Sequence, residues 1–123
     1  MILIDTSVWI DHLHAAEPGL ISLLENDLVG CHPMVIEELA LGSLRRRGTL
    51  IRELTGLHRF PTLSHHELLA LVAAHRLWGR GLSAVDAHLF GSALLVEGAT
   101  VWTRDKRLAA ACDEAGIGFA PLV

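Results

Sequence analysis

The sequence predicts an α/β domain, a parallel sheet of about four to five short strands flanked by helices on both faces. Two observations carry this. Short apolar runs alternate with helical patterns along the whole chain. The two strongest runs, Ile2-Leu3-Ile4 and Ala99-Thr100-Val101-Trp102-Thr103, are apolar without a polar face, as in strands buried on both sides, and each leads straight to a carboxylate and a helix start. Right-handed crossovers put all strand carboxyl ends on one edge of such a sheet, the edge where ligands bind. Asp5 and Asp105 should therefore both reach it.

The elements follow in order. Ile2 to Ile4 is too short for a helix and reads as a strand. Thr6 or Ser7 can cap a helix carrying Val8, Trp9, Ile10 and Leu13 to about His14. Pro18 suits the first turn of a second helix, with Leu20, Ile21, Leu23 and Leu24 as its apolar face. Leu28 to His32 reads as a strand, and Pro33 opens a third helix through Leu41, closed by Gly42. Ser43 to Gly48 is a basic connection, and Thr49 starts a helix to about Leu57. Arg59 to Leu63 predicts a brief strand, which Pro61 restricts to an edge or a turn. Ser64 and Glu67 form a capping box before a helix to about Trp78. Gly79-Arg80-Gly81 breaks the chain, Ser83 caps the next helix, and Gly98 ends it. After the strand at Ala99 to Thr103, Asp105 stands at the first turn of a helix from Lys106 to Ala115. Gly116 stops it, and Ile117 to Phe119 predicts a last strand.

A chain of 123 residues without linkers or repeats predicts a single domain over 1–123. Hydrophobic content of 51% against 20% charged residues describes a globular chain rather than a disordered one. No apolar stretch has the length of a membrane span, and no basic segment precedes the first apolar run, so a cytoplasmic protein with no membrane partner is expected. Cys31 and Cys112 are isolated in apolar surroundings and read as buried thiols. The net charge of −4 hides an asymmetry, because Arg45, Arg46, Arg47 and Arg52 crowd one segment.

Beyond Asp5 and Asp105, two acidic positions stand out. Asp86 lies three residues after Ser83, where a capping role competes with a functional one, among Ala84, Val85, Ala87 and Leu89. Glu38 is drawn by helical spacing toward the face of Val35 and Leu39, whereas Glu37 is expected to face water. Four carboxylates at one edge would repel one another unless a cation joined them, and an all-oxygen set with room for waters suits Mg²⁺ or Mn²⁺ over Zn²⁺.

Ile2-Leu3-Ile4-Asp5-Thr6-Ser7, Glu38-Leu39-Ala40-Leu41-Gly42, Asp86-Ala87-His88-Leu89 and Thr103-Arg104-Asp105-Lys106-Arg107-Leu108 stand in the order and spacing of a PIN domain. Over essentially its whole length the chain resembles the VapC-type toxins of bacterial type II toxin–antitoxin modules. The resemblance implies a PIN-like fold and a Mg²⁺- or Mn²⁺-dependent endoribonuclease with an acidic quartet at Asp5, Glu38, Asp86 and Asp105 as catalytic and metal residues. Thr6 and Thr103 match the hydroxyl positions that orient those carboxylates or water. Some relatives carry a further acidic residue after the fourth, where Ala109 and Ala110 stand here. A homodimer and a cognate VapB-type antitoxin covering the active site are implied as well. In this reading a metal-activated water hydrolyses an RNA phosphodiester and leaves a 5′-phosphate and a 3′-hydroxyl. Arg45, Arg46 and Arg47 suit contacts to RNA phosphates.

Other chemistries fit less well. Histidine-centred RNA cleavage needs a converging pair, which His12 with His14 and His65 with His66 do not make on helices. A phosphoacceptor receiver would need an Asp ending a mid-chain strand, and Arg59-Phe60-Pro61-Thr62 offers none. A non-catalytic RNA-binding or scaffold module is the remaining alternative, although binding phosphate without metal favours basic pockets over carboxylates.

Overall fold

The computed structural model describes residues 1–121. Its strands are β1 (Ile2–Ile4), β2 (Val29–Cys31), β3 (His58–Arg59) and β4 (Thr100–Trp102). Its helices are α1 (Thr6–His14), α2 (Pro18–Glu25), α3 (Pro33–Ala40), α4 (Arg47–Thr55), α5 (His65–Ala74), α6 (Ala84–Leu94) and α7 (Lys106–Glu114). The sheet is wholly parallel, in the order β3-β2-β1-β4. Leu3 pairs with Gly30 on one side and Val101 on the other. The chain leaves β1 toward β2 and β3, then crosses back to β4. With right-handed crossovers, α1 to α4 cover one face and α5 to α7 the other, as the α1–α3, α3–α4, α5–α6 and α6–α7 contacts require.

β1 is central because its three side chains are all buried. Burying each contributes about 2 kcal/mol. Val8, Val35, Leu39 and Leu54 on the helices of one face and Leu89, Phe90 and Leu108 on those of the other complete the core. The backbone N–H of Asp5 still belongs to the ladder, donating to the Trp102 carbonyl at 2.9 Å. Asp5 is thus fixed where β1 ends, between the carboxyl ends of its two neighbours, and the reversal of strand order between β1 and β4 is the place where open parallel sheets bind ligands.

Local boundaries differ from the sequence expectation in four places. β3 is His58–Arg59 instead of a strand within Arg59 to Leu63, because its pairing is with Gly30 and Cys31 and ends before Pro61. α5 ends at Ala74, not near Trp78, because Arg76 takes a left-handed φ of 52°. α4 begins at Arg47, whose Nε donates to the Ala40 carbonyl at the end of α3. The last strand reduces to one bridge, Val101 with Gly118. The Ser64–Glu67 capping box is formed in both directions. Cys31 and Cys112 are free and buried.

Candidate active site

Asp5, Asp86 and Asp105 each stand at a helix N-terminus. The Asp5 carboxylate accepts from Thr6 N–H at the start of α1. Asp86 completes a capping box with Ser83 at the start of α6. Asp105 accepts from the N–H groups of Arg107 and Leu108 at the start of α7. The sequence meets the same need three times: a strand or loop ends, a short acidic side chain satisfies the orphan donors, and the positive end of the helix dipole favours its charge.

Asp5 is the centre of the arrangement and is only 7% exposed. Its Oδ2 accepts from Ser7 Oγ at 2.9 Å and from Thr103 Oγ1 at 2.7 Å, and its Oδ1 accepts from Thr6 N at 2.8 Å. All of these donors are neutral, and among the described residues no basic side chain pairs with it. Thr103 Oγ1 in turn accepts from Asp105 N–H at 3.0 Å, so one hydroxyl couples two of the acidic positions. Across α1, Thr6 Oγ1 donates to Glu38 Oε1 at 2.6 Å. Glu37 and Glu38 are both exposed, and Glu38 alone of the two is turned to the site. The structure therefore links Glu38, Thr6, Asp5, Thr103 and Asp105 in one hydrogen-bonded chain.

Asp86 is outside that chain. It is half-buried and engaged with Ser83. Its tie to the others runs through Cys112, whose thiol is pushed up to about 12, first by burial and then by the charges of Asp113, Asp5 and Asp86. Asp5 and Asp86 thus bear on one buried thiol from two elements. Burial raises the pKa of Asp105, but hydrogen bonds from Arg107 and the Leu108 N–H outweigh it and leave the group below the ordinary carboxylate value. Arg107 reaches it at 3.4 Å. In this arrangement no group of three or more His, Cys, Asp or Glu side chains among the described residues is close enough to hold one ion.

The donor set nevertheless fits a hard cation. It is all carboxylate and hydroxyl oxygen, and a buried carboxylate held by neutral donors alone lacks the positive partner that burial of a charge calls for. Zinc favours nitrogen or sulfur ligands, and the linked set of Glu38, Thr6, Asp5, Thr103 and Asp105 offers oxygen alone.

Three residues beyond the expected set shape this edge. Ser7 joins Asp5 to the β4–α7 loop by accepting from Arg104 N–H at 3.1 Å. Arg104 pairs with Asp11 at 3.0 Å and Glu17 at 2.8 Å, and its guanidinium lies 5.7 Å from the Trp102 ring centre, pinning the loop between Thr103 and Asp105 to α1. Arg107 is the third. The D-T-S run pointed to Ser7, whereas the partners of Arg104 are set by tertiary packing and Arg107 meets Asp105 two residues back along the chain. Arg45, Arg46 and Arg47 are exposed on the α3–α4 connection. Arg45 lines a cavity of about 490 Å³ with Ile10, Leu13, His14, Ser43 and Leu44.

Residues 2–114 match the family model for the PIN domain. The chain belongs to the PIN-domain family. It is 59% identical over 120 residues to Ribonuclease VapC32 of Mycobacterium tuberculosis, in strain CDC 1551 / Oshkosh and equally in strain ATCC 25618 / H37Rv, an alignment that covers 98% of this chain and 97% of each relative. This PIN domain is therefore of the VapC type. Among solved structures, PAE2754 from Pyrobaculum aerophilum superposes with a TM-score of 0.58 at 16% identity, covering 89% of this chain and 78% of that one, which speaks for the fold alone. Among the described residues of this PIN domain no helix is long and apolar enough to cross a membrane.

Proposed function

We propose that this PIN domain is a Mg²⁺- or Mn²⁺-dependent endoribonuclease, the toxin of a VapBC-type module, acting on RNA in the cytoplasm as a homodimer restrained by a VapB-type antitoxin. The observation that carries the reading is Asp5: a carboxylate buried at the strand-order reversal, oriented by three neutral donors and joined by Thr103 to Asp105 and by Thr6 to Glu38. The similarity to Ribonuclease VapC32 supports RNA as the substrate.

Asp5, Glu38, Asp86 and Asp105 would hold the ion, which when bound offsets their mutual repulsion and makes water a stronger nucleophile. Asp5 would be the fixed member of the set, since it is buried and held by three neutral donors. Asp86 and Asp105 would exchange contacts with Ser83 and Arg107 for the ion. Glu38, exposed and held by the Thr6 hydroxyl, would orient the attacking water and take its proton. Thr103 and Ser7 hold the Asp5 carboxylate in one rotamer. Arg45, Arg46 and Arg47 lie at the other end of α3 and offer charge to the RNA backbone.

Asp5→Asn tests the reading. The amide keeps the shape, and the Ser7 and Thr103 hydroxyls can turn to accept from it. Cleavage of total RNA with Mn²⁺ should disappear in this variant, and excess EDTA should abolish it in the unaltered chain. Cleavage that survives either change refutes metal-dependent hydrolysis. RNA binding without any cleavage by the unaltered chain favours the non-catalytic module.

A further inference from the structure

Two basic side chains at the acidic edge are not firmly committed, Lys106, which is exposed, and Arg107, which touches a carboxylate. Arg104 is tied to Asp11, Glu17 and Trp102, Arg80 is paired through both nitrogens with Glu114, and Arg47 holds the end of α3. The Arg107 side chain is 63% exposed and makes a single contact, 3.4 Å from Asp105 Oδ2. Its guanidinium stem lies over Gly81: a Cβ added there would stand 2.8 Å from Arg107 Nη1 and 3.1 Å from its Cδ. Gly81 has a φ of +76°, so the turn has no side chain in that space. Two residues later the same turn reaches Ser83, which caps Asp86. Arg107 thus fills the gap between the loop that carries Asp105 and the turn that leads to Asp86.

We propose that Arg107 binds a substrate phosphate, and that its contact with Asp105 is that of a displaceable counter-ion. The inference rests on the nuclease reading. Asp105, together with Asp5 and Asp86, would hold a divalent cation, whose charge would oppose the Arg107 guanidinium that Asp105 now faces at 3.4 Å. The side chain is long, exposed and held by one long contact, so it swings free without disturbing the core. A planar fork of donors released beside a metal site matches a phosphate oxygen pair better than any other group brought there by RNA. One residue then does opposite things in two states: it quiets the carboxylates before loading and grips the backbone after it.

Arg107→Gln in the full chain removes the charge and leaves a shorter, neutral amide donor. In calorimetric titration with Mn²⁺ alone, at low salt and without RNA, the variant should bind about two- to fivefold tighter than the unaltered chain, since an exposed competing charge is gone. In steady-state cleavage of an RNA oligonucleotide its KM should rise about tenfold or more, with kcat changed less, because a charge-assisted contact is lost. Arg107→Lys should restore most of the unaltered Mn²⁺ affinity and only part of the KM. Unchanged or weaker Mn²⁺ binding by the Gln variant overturns the displaceable counter-ion, and an unchanged KM overturns the phosphate contact. If the unaltered chain neither binds Mn²⁺ nor cleaves RNA, the nuclease reading itself fails and takes this inference with it.

Discussion

Thr103→Val isolates the hydroxyl that couples Asp5 to Asp105. Valine is nearly isosteric, so packing is kept and two hydrogen bonds are lost: the 2.7 Å bond donated to Asp5 Oδ2 and the 3.0 Å bond accepted from Asp105 N–H. Hydrogen bonds to charged groups contribute about 1.5–3 kcal/mol each. The Asp105 N–H lies near a half-exposed helix start, where water can replace the lost acceptor, so the Asp5 bond dominates. Asp5 keeps Ser7 and Thr6 as donors. The expected loss is about 2 kcal/mol, a shift of about 1 M in the urea midpoint for a chain of this size. Loss of a group that orients a ligand should also lower cleavage about 10–100-fold. Thr103→Ser keeps the hydroxyl and should remain within about 0.5 kcal/mol of the unaltered protein. Equal midpoints for Val and the unaltered chain, or a Ser variant as damaged as Val, would show that the hydroxyl does not organise the site.

Two further outcomes concern the scaffold. Gly30→Ala should cost about 1–3 kcal/mol of stability, read as a lower urea midpoint, because the added Cβ would overlap Cε2 of the fully buried Phe60 and stand 3.0 Å from the His58 carbonyl; an unchanged midpoint would mean that β3 yields freely. His32 is fully buried, with Nδ1 accepting from Met34 N–H and Nε2 against Ser92 Oγ, and burial, then His88 and Arg59, lower its pKa from 6.5 to about 4. A histidine kept neutral in the fold contributes stability that is complete above its unfolded pKa and is lost as pH falls from about 6.5 toward 4, by up to about 3 kcal/mol. Urea midpoints between pH 7.5 and 4.5 should fall more steeply for the unaltered chain than for His32→Asn, and parallel curves would contradict the assignment.

The parts legible in the sequence were those fixed by local chemistry. Ile2 to Ile4 and Ala99 to Thr103 announced β1 and β4 because their apolar side chains are buried, and Ser64 with Glu67 announced its cap because that motif closes on itself. β3 was misplaced because two residues pairing with Gly30 and Cys31 leave no periodic trace. The end of α5 was overrun because Leu77, although apolar and buried, packs after the backbone has turned at Arg76. At the site, Asp5, Thr103 and Asp105 could be placed together because strand ends of a parallel sheet must share an edge. Glu38 came within reach of Thr6 through the packing of α1 against α3, for which helical spacing gave only a weak preference. The ties of Arg104 to Asp11 and Glu17 and of Arg107 to Gly81 had no signal, since these become neighbours only in the folded chain, whereas Asp105 lies two residues from Arg107 in the sequence.

The four acidic positions differ in how firmly the backbone beneath them is anchored. Asp5 belongs to the innermost ladder, whereas Asp86 opens a helix reached through a turn with Gly79 and Gly81 both at positive φ. In native-state hydrogen exchange the Asp5 amide should open only with global unfolding, and those of Ser83 and Asp86 should open far sooner. Grip on a substrate would then be adjusted from the α6 side alone, so altered cutting preference is best sought by varying the Gly79–Ser83 turn while leaving the strand that bears Asp5 untouched.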